Sequence, residues 1–331
     1  MVKSLSEAQF HFFMEHTRFS RLFFECNIAK KALPFPIEFQ IQTINACNGS
    51  CLMCPKAKVR NKKPEVMPNQ LFEKIIKEIL EKTSTMRCID LVLQNEPLLD
   101  NELFTKIDFI KKRRKGKIFT VVVTNGSLLN DEKVKELEDS SLDLLIISLD
   151  ASTETTYNKV RKGLNFQTVM KNIDNVINSE YNRYLFVGFV KQKDNIEEFG
   201  EFERFWKKKG VPVWVHSISN RSGDLQVYDN ICLEGIDYSA LKKIKYKAIR
   251  KISRCCPLPL TTFNILSNGD VVLCCNDYNK KIVLGNVNKS TVEEIWNGEK
   301  YQHIRKMFFE GNYKKINVCN NCSLWKTGFL D

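Results

Sequence analysis

The chain has 331 residues, 43% of them hydrophobic, which is enough apolar material for one large core or a core with a smaller satellite. Its longest apolar stretches, such as Leu144–Leu149 and Phe119–Val123, are too short to cross a bilayer as a helix. The first residues lack the pattern of a secretory signal, and Glu7 and Glu15 argue against a transit peptide, so a cytoplasmic location is expected. The net charge of +12 gathers in runs such as Lys111-Lys112-Arg113-Arg114-Lys115 and Lys207-Lys208-Lys209. Both fall where amphipathic helices should end, a place favoured by solvation and by the helix dipole, which makes a nucleic-acid footprint the weaker reading. Twelve cysteines in a reducing compartment point to thiolate ligands rather than disulfides.

From Ile37 onward, short and nearly continuous apolar segments read as strands covered on both faces: Ile37–Ile44, Ile89–Leu93, Ile118–Thr124, Leu142–Leu149, Tyr184–Val190 and Val211–His216. Helical patterns lie between them at Asn69–Glu81, Asn101–Lys112, Asp131–Glu138, Phe166–Ser179 and Ile196–Lys208. This βα alternation demands a parallel sheet with right-handed crossovers, open because six units are too few for a complete eight-stranded barrel. Chemistry then belongs at the C-terminal ends of the strands. An aromatic segment at 1–35 reads as a helix packed on the exterior, and the α/β unit spans 36–222. The alternation stops there, and 223–331 reads as a small tail: a loop and basic helix over Ile231–Arg254, strands Thr262–Leu266 and Val271–Leu273 around the turn Ser267-Asn268-Gly269-Asp270, and helices at Thr291–Asn297 and Tyr301–Phe309.

The cysteines fall in two sets. Cys47, Cys51 and Cys54 follow the first strand directly, on the catalytic rim. Three thiolates can ligate three irons of a cubane and leave the fourth open, whereas a structural zinc site wants four ligands. In the tail, Cys255, Cys256, Cys274, Cys275, Cys319 and Cys322 form the second set, and spacing alone does not separate an iron–sulfur centre from a zinc knuckle. Cys26, Cys88 and Cys232 stand apart and read as small buried hydrophobes.

Cys47-x3-Cys51-x2-Cys54 after strand one resembles the motif of the radical S-adenosylmethionine superfamily. The resemblance implies a partial (β/α)6 barrel, a 4Fe-4S cluster that binds S-adenosylmethionine, and a 5′-deoxyadenosyl radical that removes a substrate hydrogen atom. It implies cofactor contacts for several rim residues. Gln94-Asn95-Glu96-Pro97 is similar to the family's Gly-Gly-Glu-Pro with both glycines replaced, so Glu96 is expected near the methionine amine. Asn125 and Asp150 end strands three and four, Ser148 is the ribose candidate, Arg161 is expected on the cofactor carboxylate, and Met53 against adenine.

The tail pattern resembles the SPASM and Twitch auxiliary-cluster domains, which implies one auxiliary 4Fe-4S cluster on Cys256, Cys274, Cys319 and Cys322. Such a cluster suits an oxidation, because it can accept the electron left after hydrogen abstraction. The expected substrate is a small metabolite of sugar or aminocyclitol type. A maturase acting on a ribosomal peptide is the alternative, and a basic zinc protein binding nucleic acid is a third reading, without the aromatic-basic interleaving it would need. The resemblance also implies a low-potential electron donor such as flavodoxin or ferredoxin. His216, at the end of strand six, is the candidate proton acceptor.

Overall fold

The structure, a computed structural model, describes residues 30–55, 63–82, 87–113, 118–181, 183–233, 256 and 258–323. The N-terminal aromatic segment up to residue 29, most of the expected basic helix, Cys26 and Cys255 lie outside these residues.

Six strands run parallel in chain order: β1 Glu38–Ile41, β2 Arg87–Asp90, β3 Ile118–Thr124, β4 Leu144–Ser148, β5 Tyr184–Lys191 and β6 Val213–Ser217. The crossovers carry α1 Asn69–Glu81, α2 Leu103–Arg113, α3 Asp131–Asp139, α4 Glu154–Val160, α5 Phe166–Asn178 and α6 Phe199–Lys208. The continuous apolar strand β4 shows why the layers form. Leu145 and Ile147 enter the core shared with the helices, while Leu144 and Ile146 turn to the opposite face and pack with Val121, Tyr184 and Phe186. Truncating Ile147, which is fully buried, to alanine should cost about 2–5 kcal/mol. Helix α5 meets that core through Phe166, Val169, Ile173 and Val176, at helical spacing, and starts where Asn165 accepts the Thr168 amide at 2.8 Å.

Helix α4 was not expected from the sequence. Its seven residues are threonine-rich and carry too short an apolar stripe, and it is the Thr153 cap with acidic Glu154 that starts it.

The tail does not stand apart from the α/β unit. Strand β7, Thr262–Ile265, pairs parallel with β1, and β8 (Asp270–Val272) and β9 (Val283–Asn286) follow antiparallel. One nine-stranded sheet results, in the order β6-β5-β4-β3-β2-β1-β7-β8-β9. The β7–β8 turn falls where Ser267–Asp270 placed it, with Gly269 at φ +85, and a side chain there would collide with Asn288. The helix Val292–Trp296 opens with a reciprocal capping box between Thr291 and Glu294. Trp296 then packs against Phe263 and Tyr301 and donates from Nε1 to the Leu33 carbonyl at 2.7 Å. The C-terminal ends of β1 to β6 therefore share one rim, and the tail cysteines are delivered to it through the same sheet.

No helix among the described residues is long and apolar enough to cross a membrane.

Candidate functional site

The loop after β1 is held from three sides. The Glu96 amide donates to the Ala46 carbonyl at 2.8 Å, Ser50 N–H to Lys162 O at 2.7 Å and Leu52 N–H to Val160 O at 2.9 Å. Asn48 accepts from Asn125 Nδ2 at 2.8 Å and donates to Ser127 Oγ at 2.9 Å, which ties the loop to the end of β3. Neither Asn48 nor Ser127 was singled out from the sequence. Cys51 is buried, and Cys47 and Cys54 are half-buried. Burial pushes the Cys47 thiol up to about 11, against a hydrogen bond from the Gly49 backbone, and Glu96, Cys51 and Cys54 add to the rise. Burial raises Cys51 as well, so the Cys47 and Cys51 thiols resist ionisation until a soft cation takes them. No three metal-ligating side chains among the described residues converge as a single ion would need. A cubane, which spreads its thiolates over separate irons, makes no such demand. An all-sulfur donor set on this rim fits iron–sulfur and not a hard cation.

Around this loop the rim residues form two buried networks. Glu96 accepts from Thr124 Oγ1 at 2.6 Å and the Leu98 amide at 3.1 Å through Oε1, and from the Asn125 amide at 2.7 Å through Oε2. It locks β2 to β3, and as N-cap of the turn Pro97–Leu99 it also meets a helical N-terminus. Burial raises its pKa, opposed by those same donors. In the second network Arg161 grips Asp150 through Nε at 2.6 Å and Nη2 at 2.5 Å, and its Nη1 points at Cys51 Sγ, 3.5 Å away. Burial works against the guanidinium charge, but the Asp150 carboxylate, Cys51 and Tyr157 together outweigh burial and hold the Arg161 pKa above its ordinary range. Asp150, at φ +64, also accepts the Val190 amide at 2.7 Å, and its own carbonyl accepts from Asn195. The side chain expected on a cofactor carboxylate therefore carries an internal partner and keeps one edge toward the cysteine loop.

Met53 is 5% exposed within the main core, and Ser148 is half-buried at the end of β4. His216 lies on the same side of β6 as Trp214, with ring centroids 5.1 Å apart, and is exposed.

The tail set comes together from distant segments. Cys274, just beyond β8, is buried, and burial followed by the proximity of Cys275, Cys256 and Cys319 pushes its thiol well up. Burial and then Cys322 and Asp277 push Cys319 up to about 12. Burial pushes Cys275 up to about 11; the Arg221 guanidinium opposes this, while Glu38 and Cys322 add to the rise. The Cys275 carbonyl accepts from Gln94 Nε2 at 3.0 Å, so a residue standing where the family has glycine joins the rim to the tail. Tyr278, also unforeseen, places its hydroxyl in hydrogen-bonding reach of Cys54. No periodicity or motif marks Tyr278. Cys88 and Cys232 depart from the expectation of buried hydrophobes. Both are half-buried, and their thiols reach Asp90 Oδ1 at 3.2 Å and Asp229 O at 3.7 Å.

Comparison with known proteins agrees with this arrangement. Residues 41–205 match the model of the radical SAM superfamily, and residues 255–323 match SPASM, an iron–sulfur cluster-binding domain. The S-adenosyl-L-methionine-dependent 2-deoxy-scyllo-inosamine dehydrogenase of Niallia circulans is 21% identical, over 86% of this chain and 91% of that protein. A cofactor-modifying protein for the tungsten-containing aldehyde ferredoxin oxidoreductase of Pyrococcus furiosus is 25% identical, over 86% of each. Among solved structures, BtrN with AdoMet and 2-DOIA aligns with a TM-score of 0.58 at 19% identity, covering 88% of this chain and 94% of that one. Streptococcus suis SuiB bound to precursor peptide SuiA aligns with a TM-score of 0.67 at 19% identity, covering 90% and 72%. The chain belongs to the radical SAM superfamily and carries a SPASM domain, so it is an enzyme that uses S-adenosylmethionine, a 4Fe-4S cluster and auxiliary iron–sulfur chemistry.

Proposed function

We propose that this chain is a radical dehydrogenase acting on a small polar metabolite of sugar or aminocyclitol type. The observation that carries the reading is that Cys256, Cys274, Cys319 and Cys322 gather beside the barrel, a set that suits one auxiliary cluster. Similarity to an aminocyclitol dehydrogenase along most of both chains supports the substrate class.

Cys47, Cys51 and Cys54 hold the first cluster. When bound, that cluster and S-adenosylmethionine supply a 5′-deoxyadenosyl radical and a route for electrons. The chain's own residues do the rest. Glu96, its carboxylate already spent on β3 and the Pro97 turn, shapes the rim on which the methionine amine is received. Asn125 sets the β3 end against the cysteine loop, and Ser148 offers a hydroxyl to the ribose. Asp150 orients Arg161, whose free edge serves the first cluster and the cofactor carboxylate. Met53 lines the adenine side. Oxidising a carbinol removes one hydrogen atom, one electron and one proton; His216, exposed at the end of β6, is the group we assign to take the proton. A flavodoxin or ferredoxin is the expected electron donor.

The test is mass analysis of anaerobic reactions of the reconstituted enzyme with deuterated 2-deoxy-scyllo-inosamine and related cyclitols. Deuterium in 5′-deoxyadenosine together with a ketone product supports the reading. Deuterium acquired only from a peptide would favour a maturase, the reading toward which the fold shared with SuiB points.

A further inference from the structure

Between the two cysteine sets sits a guanidinium that the mechanism above does not use. Arg221 follows β6 in a turn where it and Ser222 both have positive φ, +49 and +59. Two successive non-glycine residues in that region are strained and persist only where the surroundings enforce them. Here the enforcement comes from the terminal Cys319–Cys322 segment: Asn220 N–H donates to Ser323 Oγ at 2.9 Å, and Ser323 N–H returns to Asn220 Oδ1 at 2.9 Å. The turn and the auxiliary ligands are thus one unit.

The Arg221 side chain is aimed inward. Nη1 donates to Asn276 Oδ1 at 3.1 Å, on the residue after Cys275, while Nε–H is buried and meets no acceptor. No carboxylate pairs with Arg221 among the described residues. Burial opposes its charge, and the groups that favour it are Tyr278, Cys275, Cys54 and Cys322. Two of these, Cys54 and Cys322, belong to different ligand sets. Arg221 is half-buried, and the buried side of its guanidinium has no carboxylate beside it, a costly place for a cation. Iron ligation turns the cysteines into thiolates and supplies a counter-charge from both sides.

We propose that Arg221 is a counter-cation shared by the two clusters, placed to raise the reduction potential of each. The inference rests on the radical SAM reading of both cysteine sets. Reduction adds an electron to an already anionic centre, so a fixed positive charge close by stabilises the reduced state most where water is excluded. Arg221 is a positioning and tuning residue, not a group that touches the reacting atoms.

The experiment is an EPR-monitored redox titration of the reconstituted full chain as wild type, Arg221→Gln and Arg221→Lys. We expect both midpoints to move to lower potential in Arg221→Gln and to stay near wild type in Arg221→Lys. Unmoved midpoints in Arg221→Gln at wild-type iron and sulfide content would overturn the proposal. If that variant fails to hold its clusters, Asn276→Ala, which frees the guanidinium without removing it, takes its place. A smaller downward shift there supports the role, and no shift ends it. A wild-type protein that forms no cubane would instead take down the functional reading itself, a result distinct from unmoved midpoints.

Discussion

The two cysteine sets are built in opposite ways. Cys47, Cys51 and Cys54 lie within eight consecutive residues, and their loop is laced to the ends of β2, β3 and α4 by backbone and asparagine hydrogen bonds. Cys256, Cys274, Cys319 and Cys322 come from three separate segments and meet only because β7 extends the sheet from β1. The first set is a local motif placed on a preformed rim. The second is a product of tertiary structure, so its geometry depends on the whole sheet and on links such as Gln94 to Cys275.

The largest expected effect tests whether the two sets also differ in what they do. Cys51→Ala should abolish 5′-deoxyadenosine formation, measured by mass spectrometry after anaerobic reconstitution, because the iron that receives the cofactor is lost with its neighbours. Cys319→Ala should keep most cofactor cleavage and lose product. Equal loss of both activities in Cys319→Ala, with the fold intact by circular dichroism, would mean that the tail does more than accept electrons.

The Asp150–Arg161 pair comes next. Asp150→Asn leaves a buried guanidinium without its carboxylate and should lower stability by about 3–5 kcal/mol. The double variant Asp150→Asn/Arg161→Met should recover part of that loss, since the uncompensated charge is gone. Urea unfolding of the three proteins decides it. A double variant as unstable as the single would show that the pair acts through packing instead of charge.

The same contrast explains what was legible in the sequence. Strand β3 and helix α1 fall where periodicity put them, because a continuous apolar run and an amphipathic stripe each encode their burial locally. The cysteine triplet was legible for the same reason. Long-range pairing was not. Nothing in Thr262-Phe263-Asn264-Ile265 announces that it will lie parallel to β1 rather than close a separate hairpin domain, and β9 carries too little apolar pattern to announce a strand. Arg161 could be read as a cofactor ligand, but its carboxylate partner Asp150 is set by the strand-end geometry of β4 and β5, which sequence spacing does not reveal. Gln94 and Tyr278 gain meaning only when rim and tail are seen together.

Two glycines sharpen the comparison at a smaller scale. Gly126, on the rim, has φ +75, and a Cβ there would come within 2.7 Å of Ile147. Gly285, in the tail, has an ordinary backbone, and its added Cβ would meet only the Ile295 side chain, at 2.8 Å. Gly126→Ala should cost about 2–3 kcal/mol and Gly285→Ala about 1 kcal/mol, since backbone strain adds to overpacking in the first alone. Reversed magnitudes in chemical denaturation would show that the tail is the more tightly built region.

The smallest effect lies just behind the rim, at the start of α4. Glu198 accepts from the Ser152 amide at 2.6 Å, from Thr153 Oγ1 at 2.6 Å and from Thr156 Oγ1. Its modest burial alone would raise its pKa, but these donors outweigh burial and hold it below the ordinary 4.5. A depressed carboxylate contributes stability that is present above the unfolded pKa and is lost as pH falls through the lower folded value. Glu198→Gln should therefore be less stable than wild type by about 0.5–1 kcal/mol near neutral pH, a small figure because solvent screens so exposed a group. The gap should hold down to about pH 5 and close below it, as the wild-type carboxylate takes up its proton. Urea midpoints across that range measure the closing; a gap that stays constant into acid would mean that the glutamate secures the α4 entry by shape rather than by charge.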